Sequence, residues 1–157
     1  MVSNSRMPPR NGLTTDEALV ETEAVYSELE RRPVERDCVR RTECCQFKLT
    51  GRIPMLTKGE ALVAAKTLRA AGRTRLPASH DLAAGACPLL DARGKCLAYE
   101  GRPFGCRTHF CAVAGGPYSR KEVIDLIRRL EEIDERLGGD GPRALPQAVA
   151  TALEEMA

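Results

Sequence analysis

At residues 57–72 the chain reads TKGEALVAAKTLRAAG, and this stretch carries the signals of a helix from its start to its end. Thr57 and Glu60 match a capping box, in which a hydroxyl and a carboxylate satisfy backbone N–H groups that a helix leaves unpaired at its start. Gly72 is typical of a helix end. The apolar residues between them recur with helical spacing, at Leu62, Ala65 and Leu68. The stretch therefore predicts a helix over residues 57–72.

Three more helices are predicted from similar signals. One covers residues 14–32 and is stopped by Pro33. The clearest covers residues 119–137, with a second capping box at its start and an apolar stripe along its length. The stripe consists of Val123, Ile124, Ile127, Leu130, Ile133 and Leu137. A short terminal helix is expected over residues 143–156.

The composition is that of one ordinary globular domain. The chain has 157 residues, of which 43% are hydrophobic and 29% are charged. A chain of this length can bury roughly two-thirds of its unfolded surface. We expect a mainly α, small single domain over residues 14–157, with three to four helices packed beside an irregular cysteine-rich loop region. Residues 1–13 are expected to form a flexible tail.

Composition also excludes several classes of protein. No stretch approaches the about 20 apolar residues of a membrane-spanning helix, and the polar N-terminal segment lacks the apolar region of a signal peptide. We therefore expect a cytoplasmic chain with no membrane partner. The net charge of +2 is too small for a dedicated nucleic-acid binder, and the basic residues lack interleaved aromatic side chains. Nucleic acid is therefore not expected as a partner.

The seven cysteines are the feature that the composition leaves unexplained. They form two groups: Cys38, Cys44 and Cys45, then Cys87, Cys96, Cys106 and Cys111. Structural disulfides seldom persist in a reducing cytoplasm, and an odd number of cysteines does not close a disulfide framework. Thiolates are soft ligands that favour zinc and iron–sulfur chemistry. The pattern therefore favours metal ligands, although the spacing is not that of a zinc ribbon and leaves the metal open.

The second group lies within residues 73–118, which are rich in loops. A loop region of that length needs an organiser, and metal–ligand bonds can replace the missing hydrophobic burial. We therefore expect the loop region to be metal-binding, with both cysteine groups converging on it.

At these cysteines the sequence resembles the YkgJ-type cysteine-cluster family, described as a zinc- or iron-chelating domain with the motif Cys-x-x-Cys-x-x-Cys-Cys. The match spans residues 38–111, and its pieces follow the order that they have in the family. The matched positions are Cys38, Cys44 and Cys45; Thr57 and Glu60; Cys87-Pro88-x-Leu90; Cys96-x-x-Tyr99; Arg102-Pro103-x-x-Cys106-Arg107; and Cys111.

The resemblance implies that these seven cysteines hold an iron–sulfur cluster or a zinc or iron ion, with a redox role that would involve a protein partner. It does not supply an established reaction. Arg41 stands where the family has its second cysteine, so eight expected thiols become seven. His109 either supplies the lost ligand or hydrogen-bonds to a ligand, whereas His80 is interpreted as a loop histidine.

Basic side chains accompany both cysteine groups. Residues 31–52 contain seven basic and three acidic residues, and residues 93–107 contain four and one. Guanidinium groups near a thiolate-bound metal would stabilise its negative charge. Arg102 and Arg107, which lie inside the matched motif, are therefore candidates for supporting the cofactor. The alternative is that these arginines face solvent or bind an anion.

Three functions remain open at this point. The first is an iron–sulfur or other metal protein with a redox role, and the second is a zinc-stapled structural or interaction module without catalysis. The third is a metal-independent thiol redox enzyme. Seven thiols exceed the four that one zinc ion or one cluster uses, which implies two metal positions or one position with additional thiols beside it. The sequence assigns no reaction.

Overall fold

The fold is mainly helical. The computed structural model describes residues 12–32, 53–76, 87–91, 93, 95–108 and 119–157. Its elements in chain order are helix α1 (Thr15–Arg31), strand β1 (Met55–Leu56), helix α2 (Lys58–Ala70), a 3-10 helix (Tyr99–Gly101), helix α3 (Phe104–Thr108), helix α4 (Arg120–Arg136), strand β2 (Arg143–Ala144) and helix α5 (Leu145–Glu155). The prediction of a mainly α, small single domain is confirmed.

The four helices that the sequence predicted are α1, α2, α4 and α5. Thr14 caps α1, because its hydroxyl accepts the backbone N–H of Glu17 at 3.1 Å. Ser119 caps α4 in the same way, accepting the N–H of Glu122 at 3.3 Å. No helix among the described residues is long and apolar enough to cross a membrane.

Helix α2 lies at the centre and packs against α1, α4 and α5. All its residues from Gly59 to Ala65 are buried, as expected for a helix that is covered on every side. A Cβ atom at Gly59 would lie 2.5 Å from the Thr22 hydroxyl oxygen of α1 and 3.0 Å from a methyl carbon of Ile133 on α4. Glycine at this position therefore allows three helices to approach closely.

The buried carboxylate of Asp134 joins α4 to the start of α2. Its Oδ1 atom accepts the backbone N–H of Lys58 at 2.7 Å, and its Oδ2 atom accepts the N–H of Gly141 at 3.0 Å. Burial of this carboxylate is tolerated because both of its oxygens are hydrogen-bonded. Asp134 thereby fixes α2 relative to the turn that follows α4.

A short antiparallel pair connects the starts of α2 and α5. In the pairing of β1 with β2, Met55 lies opposite Ala144 and Leu56 opposite Arg143. The sequence did not predict this pairing. Residues 143–144, expected to begin the terminal helix, form β2 instead, and a strand of two residues is too short to produce an alternating pattern.

The described N-terminal residues begin just before α1. Leu13 donates its backbone N–H to the carbonyl of Arg136 at 3.2 Å, and its side chain packs against the core. Residues 1–11, the greater part of the predicted tail, lie outside the described residues.

We expect Leu126→Ala to lower the free energy of unfolding by about 2–5 kcal/mol, because Leu126 on α4 is fully buried and its loss leaves a cavity. Val20→Ala is the control, since Val20 on α1 is 67% exposed and its truncation should change stability by less than about 0.5 kcal/mol. Urea unfolding followed by circular dichroism measures both. Equal losses in the two variants would contradict this packing.

Candidate metal centre

The structure describes three of the seven cysteines, Cys87, Cys96 and Cys106. Cys38, Cys44, Cys45 and Cys111 lie outside the described residues, as do Arg41, His80 and His109. The convergence of all seven cysteines therefore stays a prediction, and the described part shows how three of them are held.

Cys87 and Cys96 lie at the two ends of a tight turn. The N–H of Leu97 donates to the carbonyl of Leu89 at 2.7 Å, and an isolated antiparallel bridge joins Leu90 to Cys96. Cys87 is buried among core residues, whereas Cys96 is partly exposed at the edge of the core. The turn therefore fixes both cysteines against the hydrophobic core.

The carboxylate of Asp91 closes this turn. Its Oδ1 atom accepts the backbone N–H groups of Arg93 at 2.8 Å and Lys95 at 2.9 Å. The hydrogen bond from the Lys95 backbone is the main reason that the pKa of Asp91 lies below its usual value. An aspartate that bonds to backbone groups further along the chain is typical of such turns.

The segment after Cys96 runs as a 3-10 helix against α2. A Cβ atom at Gly101 would lie 2.9 Å from the carbonyl oxygen of Val63 and would collide with the hydroxyl of Thr67. Gly101 therefore allows backbone to approach backbone at this point. Pro103 and α3 follow immediately, so the helix that carries Cys106 begins beside α2.

Glu60 connects α2 to the helix that carries Cys106. The glutamate is only 3% exposed. Its Oε2 atom accepts the backbone N–H of Thr57 at 2.8 Å and the Thr57 hydroxyl at 2.9 Å. Its Oε1 atom accepts the backbone N–H of Phe104, the first residue of α3, at 2.9 Å. One carboxylate thus caps α2 and anchors α3.

The environment of Glu60 acts on its pKa in two directions. Burial raises the pKa of the Glu60 carboxyl, because it removes the charged form from water. Hydrogen bonds from Thr57 and Phe104 oppose this effect by stabilising the carboxylate. The net pKa is above the usual value, which shows that desolvation is the larger contribution.

Arg107 anchors the other end of α3. Its guanidinium donates to the carbonyl oxygens of Arg102 at 2.8 Å and Glu100 at 2.7 Å, and to the carboxylate of Glu30 on α1 at 3.1 Å. It also lies over the ring of Tyr26, 4.0 Å from the ring centroid. The side chain is buried, and this burial lowers the pKa of Arg107. Arg107 therefore holds the loop before α3 against α1.

Arg102 has a smaller role in the described structure. Its guanidinium donates to the carbonyl of Tyr99 at 2.9 Å and lies 4.1 Å from the centroid of the Tyr99 ring. Both arginines predicted to support a cofactor thus bind backbone carbonyls of the segment between Cys96 and Cys106. That they also support a cofactor stays a prediction.

A buried phenol lies beneath Arg107. Tyr26 is 3% exposed, and its hydroxyl has no hydrogen-bond partner among the described residues. Burial raises the pKa of Tyr26 well above its ordinary value. The negative charge of Glu60 acts in the same direction, and the positive charge of Arg107 opposes it.

Within the described ranges, no group of three or more His, Cys, Asp or Glu side chains is arranged to hold a metal ion. Cys87, Cys96 and Cys106 therefore do not form a complete site by themselves. Their thiol chemistry fits a soft metal, and a full ligand set would draw on the cysteines outside these ranges.

Comparison of the chain with models of protein families, with curated proteins and with solved structures finds no match. The resemblance to the YkgJ-type family therefore stays a prediction.

Sequence reasoning identified Glu60 as a helix cap and a motif residue, but not as a link to α3. It also missed Tyr26 and Glu30, which lie more than 75 positions before Arg107. One signal was present for Tyr26, since Leu19, Thr22, Tyr26 and Leu29 follow helical spacing and are all buried. Nothing in the sequence pointed to the pairing of Glu30 with Arg107.

We expect Arg107→Met to lower the free energy of unfolding by about 2–4 kcal/mol, because it removes the donor from two partly buried carbonyls. Glu30→Gln should cost less than about 1 kcal/mol, since the side chain of Glu30 is 68% exposed and such pairs contribute little. Both values come from urea unfolding. A loss for Glu30→Gln as large as that for Arg107→Met would show that the ion pair, not the backbone contacts, is the anchor.

Proposed function

We propose that this chain binds an iron–sulfur cluster, or zinc or iron ions, through cysteine thiolates, and that it exchanges electrons with a protein partner. The proposed ligands are Cys38, Cys44, Cys45, Cys87, Cys96, Cys106 and Cys111. When bound, the metal would supply redox capacity in the iron forms and a structural cross-link in the zinc form.

The observation that carries this proposal is the way in which Cys106 is held. Cys106 is partly exposed on a helix of five residues, and two buried charged side chains, Glu60 and Arg107, fix that helix. Burying charged groups costs desolvation energy, and apolar residues in their place are often as stabilising. Stability alone therefore does not account for the arrangement, whereas accurate placement of a thiol does.

The order of the motif gives independent support. Thr57 and Glu60 belong to one matched piece of the motif, and Arg102 to Arg107 belong to another, more than 40 residues later. The hydrogen bond from Phe104 to Glu60 joins these two pieces in space. Such a contact is expected if the motif describes one site rather than separate structural features.

The second candidate is a zinc-stapled structural or interaction module without catalysis. The turn between Cys87 and Cys96 favours this function, because it is packed against the core and is itself a short irregular segment. Metal bonds at its ends would stabilise such a segment in the way that structural zinc sites do. The two candidates share the ligands and differ in the metal.

We expect the chain, purified without oxygen and after reconstitution with iron and sulfide, to hold metal in stoichiometric amounts. Elemental analysis, a sulfide assay and visible absorption measure the content. Iron with acid-labile sulfide would support the cluster, and zinc without sulfide, whose removal unfolds the protein, would support the stapled module. A folded chain that holds neither iron nor zinc would overturn both and leave a metal-independent thiol enzyme.

Cys106→Ser should lower the bound metal in the same assay, because it replaces a soft thiolate by a hydroxyl. Gly105→Ala is the matched control on the same helix, since an added Cβ there meets no atom of the described residues within 4 Å. Metal content that is unchanged in Cys106→Ser would contradict the assignment of Cys106 as a ligand.

A further inference from the structure

Three capping boxes occur in the part of the chain that the structure describes, and one of them differs from the other two. In α1 and α4 the carboxylates that complete the box belong to Glu17 and Glu122, and both residues are exposed. In α2 the carboxylate belongs to Glu60 and is buried. An exposed carboxylate is thus sufficient for capping in this chain, so capping does not explain why Glu60 is buried.

The feature that distinguishes Glu60 is its second oxygen. Oε2 caps α2, and Oε1 reaches out of the helix to the backbone N–H of Phe104 at 2.9 Å. Phe104 begins α3 and stands two residues before Cys106. The burial of Glu60 therefore corresponds to a contact with the helix that bears the cysteine.

Helix α3 depends on such contacts for its orientation. A helix of five residues is too short to be stable by itself, so its position is set by tertiary contacts. The N–H groups of Cys106 and Arg107 bond to the carbonyl of Pro103 at 3.0 and 3.1 Å, within the same short segment. Glu60 at the start and Arg107 at the end form hydrogen bonds that connect α3 to the helical core, beside the buried side chain of Phe104.

We propose that Glu60 is a positioning residue for the metal centre: through Phe104 it fixes the direction in which Cys106 presents its thiolate. The proposal rests on the proposed function and adds a role to it. Metal affinity at the cysteines is set in part by a carboxylate on the central helix. Groups that orient ligands in this way typically change metal affinity about 10- to 100-fold when they are replaced.

Asp134 provides a matched control for Glu60. Both carboxylates are 3% exposed, and both accept backbone N–H groups at the start of α2. The second partner of Asp134 is the N–H of Gly141, in the turn after α4, whereas the second partner of Glu60 is on α3. Replacing Glu60 or Asp134 disturbs the start of α2. Only the replacement of Glu60 removes a contact with α3, the helix that carries Cys106.

The experiment is titration of the full chain with Co²⁺ under reducing, oxygen-free conditions, followed by competition with Zn²⁺. Thiolate-to-cobalt absorption reports the ligand geometry, and the competition gives the affinity. We expect Glu60→Gln to weaken metal binding about 10- to 100-fold and to alter the cobalt spectrum. We expect Asp134→Asn to lower the thermal midpoint of unfolding about as much as Glu60→Gln does. Its metal affinity and cobalt spectrum should stay as in the unsubstituted chain.

If Glu60→Gln does not fold, Glu60→Asp tests the same contact with Phe104. Aspartate retains the negative charge in the first turn of α2, but its shorter side chain does not reach Phe104. We expect this variant to be folded and still weakened in metal binding.

The outcomes separate the two proposals. If the unsubstituted chain binds no metal, the proposed function fails. If it binds metal and loses it in Cys106→Ser, but Glu60→Gln and Glu60→Asp bind as tightly as Asp134→Asn, only the role of Glu60 is overturned.

Discussion

Glu60 carries its carboxylate into the interior, where one oxygen caps the central helix α2 and the other accepts the backbone N–H of Phe104. Removing a carboxylate from water is costly, and among the described residues the hydrogen-bond donors at Thr57 and Phe104 offset this cost. The cap of α2 and the placement of α3 are therefore not independent. A change that moves α3 leaves a buried oxygen without its donor, which makes the orientation of α3 well defined.

The same principle operates at Arg107, with the charge reversed. Its guanidinium is buried between carbonyl oxygens and the ring of Tyr26, so the loop before α3 must keep its position for these hydrogen bonds to form. The five-residue helix α3 is thus held at its start by the buried carboxylate of Glu60. Near its end it is held by the buried guanidinium of its own Arg107. This explains how the short helix that carries Cys106 is held against α1 and α2.

The local signals in the sequence were sufficient for the long helices. Capping boxes and apolar spacing predicted α1, α2 and α4 because these depend on residues three and four positions apart. The predicted apolar stripe of α4 omitted Leu126, which is buried. It also gave no sign of the burial of Asp134, whose carboxylate bonds to the start of α2 and to the turn after α4. Likewise, α3 and the link from Glu60 to Phe104 depend on contacts between residues 44 positions apart, for which a single sequence has no signal.

We propose that cysteine thiolates form a metal centre beside the helical core. X-ray absorption at the metal edge of the loaded chain tests this proposal, because it identifies the atoms bound to the metal. We expect an inner shell dominated by sulfur, at about 2.3 Å for zinc. An inner shell of nitrogen and oxygen alone, at about 2.0–2.2 Å, would contradict it.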